Sequence, residues 1–252
     1  MRRTGMRAAF VSRALGATVV AAVLAGVAGY LPGGLRAQAP AASSAVPNLT
    51  GIWARTGRAV TPGELPLNAR GVALREAIDE SLAPMYDCVP ATVPHILGDP
   101  YNFQIEQRPD RVIIRFEKDA VTRTVWLEGQ GHPAASNNDY ALHGYSVGRY
   151  EGRQLVVETT KYTFDPGGLE DKPPMTPSST QKKTVERYSR EGDKLTVDVL
   201  FEDRLIIKEP VRFKFEFLPT KEALVEWPEC DADQARAPLN YMPVNQLKYG
   251  IR

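Results

Sequence analysis

At 252 residues, with 43% hydrophobic and 24% charged side chains, the chain has the composition of an ordinary globular protein. Disordered and fibrous classes are therefore excluded for most of its length. Removal of residues 1–39 would take away five of the 31 basic side chains and none of the 30 acidic ones. The remainder is mildly acidic and lacks the basic face that nucleic-acid binding requires.

The first 39 residues have the layout of a secretory signal. Four arginines precede an uncharged run over residues 14–35, and no acidic residue occurs before Glu64. We expect cleavage at the small-x-small site 37–39, or a few residues later because Pro40 is a poor first residue. An organelle transit peptide is one alternative. An uncleaved anchor is another, and it would be the chain's only membrane contact. Residues 40–50 are a flexible lead-in, and the expected location is periplasmic or secreted.

The chain has two cysteines, Cys88 and Cys230. In an exported protein we expect them to form a disulfide, whose long loop would restrict the unfolded chain. A nucleophilic Cys88 is the alternative, but no nearby pattern offers it a base.

The first elements after the lead-in are a strand and a helix. Gly51-x-Trp53 is similar to the G-x-W motif that opens the first strand of lipocalin-type barrels, where the tryptophan closes one end. Asn68 is expected to cap a helix over residues 69–82, which Pro84 stops. A proline-rich, extended passage over residues 84–100 follows.

From Tyr101 onward the hydrophobic period is two. Strands are predicted at residues 102–107, 111–116, 121–127, 154–160, 183–189, 194–201, 205–218 and 223–227. The pattern predicts a mainly β fold, a single antiparallel up-and-down β-barrel with one short N-terminal helix, over residues 51–230. Loops 128–145 and 163–180 are expected at its mouth. A polar tail, 231–252, follows.

Five short motifs stand out along the chain: Asp87-Cys88-Val89-Pro90, residues 101–105, Gly131-His132-Pro133, residues 143–152 and residues 185–188. Together they resemble the motifs of a group of uncharacterised exported bacterial proteins. The resemblance covers most of residues 50–230 and implies a periplasmic β-rich domain of lipocalin-like character, without implying an activity. Arg153 stands where the group's pattern leads us to expect Asp.

Residues 132–158 hold two of the three histidines and are the expected location of any chemistry. His132, Asp139 and His143 could meet at the barrel rim, where a histidine exchanges protons and a carboxylate fixes its tautomer. The alternative is that these side chains only stabilise a packed loop. Their irregular spacing is a weak metal-ligand pattern, so no metal and no cofactor are predicted.

Ser146 lies in a G-x-S-x-G sequence, the pattern of a hydrolase nucleophile elbow. The elbow requires a strand before the serine and a helix after it. Because a strand pattern follows Gly148, serine hydrolysis is a weak alternative.

The leading prediction is an exported lipocalin-like barrel that binds a small, largely apolar molecule. The first alternative is a cofactor-independent isomerase, hydratase or lyase with His143 as base, and the second is a structural envelope protein with a solid barrel. The candidate ligand-binding residues, each of which could instead be core or solvent-facing, are Trp53, Tyr101, Phe103, Trp126, Tyr145, Arg149, Glu186 and Tyr188.

Overall fold

Alternating apolar and polar side chains place most of the described chain in β-strands. The computed structural model describes residues 46–79, 81, 83–129, 139–170, 175–225 and 230–241. The expected signal, residues 1–39, and His132 lie outside the described residues. The strands are β1 (Gly51–Val60), β2 (Phe103–Gln107), β3 (Arg111–Phe116), β4 (Thr122–Leu127), β5 (Tyr145–Glu151), β6 (Gln154–Thr160), β7 (Asp165–Glu170), β8 (Thr176–Ser178), β9 (Lys183–Glu191), β10 (Lys194–Glu202) and β11 (Val211–Pro219).

Nine of these strands form a closed barrel. Each strand lies beside the next one in sequence, except that β6 is followed in the ring by β9, and β11 closes onto β1. β7 and β8 pair separately as a two-stranded sheet. The prediction of a mainly β fold built on a single barrel is therefore confirmed.

The prediction of a wholly antiparallel barrel is wrong at one pair of strands. β4 and β5 run parallel and pair over residues 125–127 and 146–148, whereas every other neighbouring pair in the ring is antiparallel. A closed ring with an odd number of strands cannot alternate direction throughout, so nine strands require a parallel pair. A parallel pair needs a long crossover connection, which residues 128–144 supply.

Two predicted strands near the C-terminus also need correction. The strand predicted over 205–218 begins only at Val211, because Pro210 lacks an N–H group and residues 203–207 form a turn on Asp203. The strand predicted over 223–227 is not formed at residues 223–225, the part that the structure describes. Both edges of β11 are already paired with β10 and β1, so no barrel edge is open to it.

The chain between β1 and β2 covers one end of the barrel together with residues 162–182; we call these two segments the lid. Helix α1 (Ala69–Ala77) begins at Asn68, whose Oδ1 accepts from the Gly71 N–H. It ends earlier than predicted, because the Asp79 carboxylate accepts from the Ser81 N–H, a local bond that competes with the helix. Apolar lid side chains pack into the barrel core, among them Leu65, Val93, Ile96, Leu97 and Leu169.

The passage 84–100 is not extended throughout, because it contains a 3-10 turn at Pro84–Asp87 and helix α2 (His95–Gly98). The predicted disulfide is confirmed: Cys88 bonds to Cys230, with the two Cα atoms 5.6 Å apart. Helix α3 (Ala232–Arg236) follows Cys230, and Arg236 donates to the Asp87 carboxylate. No helix in the described ranges is both long and apolar enough to span a bilayer.

Trp53 occupies the opposite end of the barrel. It is completely buried, and its indole N–H donates to the Leu49 carbonyl over 2.9 Å. The Arg190 guanidinium lies 5.2 Å from its ring centroid, while Phe103 and Phe217 pack edge to face at 4.8 Å. Large aromatic side chains therefore fill this half of the interior.

The end of the crossover connection is fixed against β6. The Ala141 N–H donates to the Lys161 carbonyl, and the Thr163 N–H donates to the Ala141 carbonyl. Gly144 follows with a φ of +66°, and a Cβ atom there would lie 2.5 Å from the Thr160 carbonyl oxygen. This contact leaves room for glycine alone.

We expect Gly144→Ala to destabilise the fold more than Gly57→Ala does. Gly57 has nearly the same φ, +65°, but a Cβ atom there would meet nothing within 4 Å. The control should therefore lose only the conformational cost of about 1 kcal/mol, and Gly144→Ala a further overpacking cost of about 1–3 kcal/mol. Urea unfolding measures both, and equal losses would contradict the close packing at Gly144.

Candidate functional site

A charged pair is buried inside the barrel at the lid end. Arg123 on β4 and Glu186 on β9 are 3% and 0% exposed. The guanidinium donates to both carboxylate oxygens, over 2.7 Å to Oε1 and 3.0 Å to Oε2. Strand alternation places both inside, because Val125 and Leu127 share the face of Arg123, and Thr184 and Tyr188 share that of Glu186.

Hydroxyl groups surround this pair. The Tyr188 hydroxyl donates to Glu186 over 2.6 Å, and Arg123 Nη2 lies 3.4 Å from Ser146 Oγ and 3.3 Å from Thr159 Oγ1. Burial alone would lower the pKa of Arg123, but the charge and hydrogen bonds of Glu186 raise it. Burial and the Glu186 charge raise the pKa of Tyr188. Arg123 therefore stays charged and Tyr188 stays neutral.

A second buried chain of hydrogen bonds connects the two segments of the lid. Lys182 Nζ donates to Thr92 Oγ1, and Thr92 donates to Asp165 Oδ2, each over 2.6 Å. The ammonium lies 4.4 Å from the Tyr162 ring centroid. Burial lowers the pKa of Lys182 to about 8, with Asp165 acting in the opposite direction. At neutral pH most Lys182 side chains are still protonated.

Two buried nitrogen atoms beside the ion pair have no hydrogen-bond partner among the residues that the structure describes. They are Nε of Arg123 and Nδ1 of His143. A buried N–H group that makes no hydrogen bond costs about 1–3 kcal/mol, and more on a charged group. Such a cost in a folded protein calls for a specific explanation.

Arg123 and His143 line the same pocket, which has a volume of about 310 Å³. The pocket exists because β4 pairs with β5 only from residue 125 onward. Residues 122–124 of β4 therefore face the end of the crossover connection instead of a strand. Among the residues that the structure describes, the lining contains no acidic side chain and consists of Thr122, Arg123, Thr124, Trp126, Ala141, Leu142, His143, Gly144, Tyr145 and Ser146. We call it the β4–β5 pocket.

Burial and the surrounding charges keep the imidazole of His143 neutral. Burial, followed by the positive charges of Arg123 and Lys182, lowers its pKa from 6.5 to about 4, with Asp165 acting in the opposite direction. The potential at this ring is therefore positive. A neutral imidazole carries one N–H donor and one acceptor nitrogen.

The structure describes two of the three proposed acid–base residues. His143 lines the β4–β5 pocket. Asp139 lies near Tyr145: burial is the main cause that raises the pKa of this tyrosine, and the negative charge of Asp139 raises it further. Convergence with His132 stays a prediction. Ser146 lies within β5 and is followed by more strand and then β6, so no helix completes an elbow.

The proposed ligand-binding residues are divided among several places. Trp126 and Tyr145 line the β4–β5 pocket, and Glu186 and Tyr188 belong to the network behind it. Arg149 is on the outer face, where it donates to Glu151 over 2.8 Å. Trp53 and Phe103 lie in the apolar core, and Tyr101 is half-buried just before β2.

Sequence reasoning missed Arg123 and Lys182. Arg123 could have been found, because it is in phase with Val121, Val125 and Leu127 on an alternating strand. A charged residue in phase with the apolar face must be buried with a partner. Lys182 carries no such signal, since it lies in the lid before β9 begins.

Comparison with known proteins yields only distant structural similarity. No family model matches the sequence, and a search of curated proteins finds no match either. A secretary abundant heat soluble protein from Ramazzottius varieornatus is 14% identical, with 70% of this chain and 98% of that chain covered and a TM-score of 0.37. The wild-type fluorescent protein UnaG is 15% identical, with 68% and 97% covered and a TM-score of 0.34. Similarities this low carry no argument about function.

We expect Glu186→Gln to destabilise the protein by about 3–5 kcal/mol, because it leaves the Arg123 guanidinium buried without a carboxylate. Replacing both partners, by Arg123→Met with Glu186→Leu, should cost less than the single change. Glu158→Gln is the matched control, since Glu158 pairs with Lys183 on the exposed face and should matter little. Urea unfolding of the three variants gives the comparison. A double variant less stable than Glu186→Gln would contradict the pairing argument.

The depressed pKa of His143 predicts a pH dependence of stability. Between about pH 6.5 and pH 4 the unfolded state binds the proton that the folded state resists, so stability falls as the pH falls. The loss reaches up to about 3 kcal/mol by pH 4. In His143→Gln this contribution disappears, so the difference in unfolding free energy between wild type and variant should change across this range. Parallel pH profiles would show that His143 titrates normally.

Proposed function

We propose that the chain is an exported barrel that binds a small molecule with a largely apolar body in the β4–β5 pocket. One observation carries the proposal: Arg123, which is only 3% exposed, is one of the residues that line this pocket, and its Nε–H has no hydrogen-bond partner among the described residues. A ligand acceptor atom would satisfy that group. The pocket volume of about 310 Å³ is at the small end of the range of roughly 300–1,000 Å³ found for ligand sites.

The walls of the pocket suit an apolar ligand body. Trp126 and Tyr145 supply aromatic surface and Leu142 supplies aliphatic surface. The Arg111 guanidinium lies 4.6 Å from the Trp126 ring centroid and supports the indole from another side. The Trp53 end of the barrel is filled by aromatic side chains, which favours the β4–β5 pocket over the barrel centre.

Export is supported by two features of the chain. The Cys88–Cys230 disulfide is typical of oxidising compartments. The sequence of residues 1–39 has the basic and apolar regions of a secretory signal. A periplasmic or secreted ligand-binding protein accounts for both.

Binding is favoured over acid–base catalysis by the state of His143. A base whose pKa is about 4 holds a proton weakly at neutral pH, whereas general bases work best with a pKa near the working pH. The neutral ring is suited to hydrogen bonding with a bound molecule. The His143, Asp139 and His132 hypothesis would require a ligand or loop rearrangement that raises this pKa.

The proposal predicts that small aromatic probes bind at the β4–β5 pocket. In an amide NMR titration with toluene, benzyl alcohol and benzoate, we expect at least one probe to shift the amides of residues 122–126 and 141–146. Thr124→Trp should fill the pocket and abolish these shifts. Thr196→Trp, on the outer face of β10 away from the pocket, is the matched control and should retain them. Shifts confined to other residues, or no shifts with any probe, would refute the proposed function.

A further inference from the structure

The donors of Arg123 are almost fully engaged. Its Nη1 donates to Glu186, and its Nη2 is shared by Glu186, Ser146 and Thr159. Of the three guanidinium nitrogens, Nε is the one that meets no acceptor within the described part of the chain. An N–H group on a permanently charged guanidinium forms its strongest hydrogen bond with an anionic oxygen.

The electrostatics of the pocket favour negative charge. The two largest charges acting on His143 are those of Arg123 and Lys182, both positive, and Asp165 opposes them more weakly. The Glu186 carboxylate is hydrogen-bonded to Arg123 and Tyr188. The negative charge of Asp139 raises the pKa of Tyr145 after burial has done so, and the described residues that line the pocket include no carboxylate.

His143 can supply a second donor to the same ligand. Its Nδ1 is buried and has no partner in the described ranges, and in one of its two neutral tautomers this atom carries the proton. One guanidinium N–H and one imidazole N–H are a set that matches the two oxygens of a carboxylate. A phosphate group, with three oxygens and up to two negative charges, would call for more donors.

We propose that the ligand of the β4–β5 pocket is a small carboxylic acid with an aromatic or aliphatic body, whose carboxylate is bound by Arg123 Nε and His143. This inference rests on the proposed function and adds the chemical class of the ligand. Trp126, Leu142 and Tyr145 would contact the body, and the Arg123–Glu186 pair would hold the guanidinium in place. The carboxylate would gain hydrogen bonds without displacing Glu186.

Three probes with the same ring separate the charge of the ligand from its shape. Benzoate, benzamide and benzylamine present an anion, a neutral amide and a cation, and calorimetric titration of the purified protein measures the affinity of each. We expect benzoate to bind at least about tenfold more tightly than benzamide, since hydrogen bonds to charged groups are the stronger ones. Benzylamine should bind most weakly.

Variants identify the groups responsible. Arg123→Met combined with Glu186→Leu removes the donor and its counter-charge together, and should abolish the preference for benzoate over benzamide. His143→Leu leaves the ion pair intact and should weaken benzoate binding severalfold. Arg212→Met removes a guanidinium from the exposed face of β11 and should leave all three affinities unchanged.

The outcomes distinguish the ligand class from the proposed function. If benzamide or benzylamine binds as tightly as benzoate at residues 122–126 and 141–146, the carboxylate inference is wrong while small-molecule binding stands. A benzoate preference that survives both site variants would also overturn the inference, because another group must then bind the anion. If none of the three probes binds, the carboxylate inference is wrong, and the proposed function fails with it only if toluene and benzyl alcohol also shift no amide of residues 122–126 and 141–146.

Discussion

The buried ion pair between Arg123 and Glu186 is the constraint on which the lid end of the barrel depends. β4 and β9 are not neighbours in the ring, because β5 and β6 lie between them, so the pair connects two sides of the wall through the interior. Two charges removed from water need each other and further hydrogen bonds to offset their desolvation. Tyr188, Ser146 and Thr159 supply those bonds. The polar half of the interior is built around this need.

The β4–β5 pocket follows from the number of strands. Nine strands in a closed ring require one parallel pair, and a parallel pair requires a crossover connection instead of a tight turn. The connection ends at Gly144, and β5 pairs with β4 only from residue 125 of β4 onward. The first residues of β4, 122–124, therefore lie beside the end of the connection and not beside a strand. The wall is therefore open beside Arg123. The same strand count that fixes the barrel also places a pocket beside its buried ion pair.

The two buried cations act together on the pocket. Lys182 is held by Thr92 and Asp165 of the lid, whereas Arg123 is held by Glu186 of the barrel. Both lower the pKa of His143, which stays neutral at physiological pH. A neutral histidine in a positive field is a poor proton acceptor and a good hydrogen-bond partner for an anion. The electrostatics of the lid and the barrel thus favour recognition over proton transfer.

The sequence by itself determined most of the barrel strands, the mainly β fold and the disulfide, because alternation of side chains is a local property and the chain has only two cysteines. Only the tertiary structure decided which strands are neighbours, since pairing depends on contacts between distant segments. Glu186 and Arg187 illustrate the difference. They are adjacent in sequence, yet Glu186 points inward to Arg123 and Arg187 points outward to Glu151. Alternation separates their directions, but the partner that each one meets is set by the closure of the barrel.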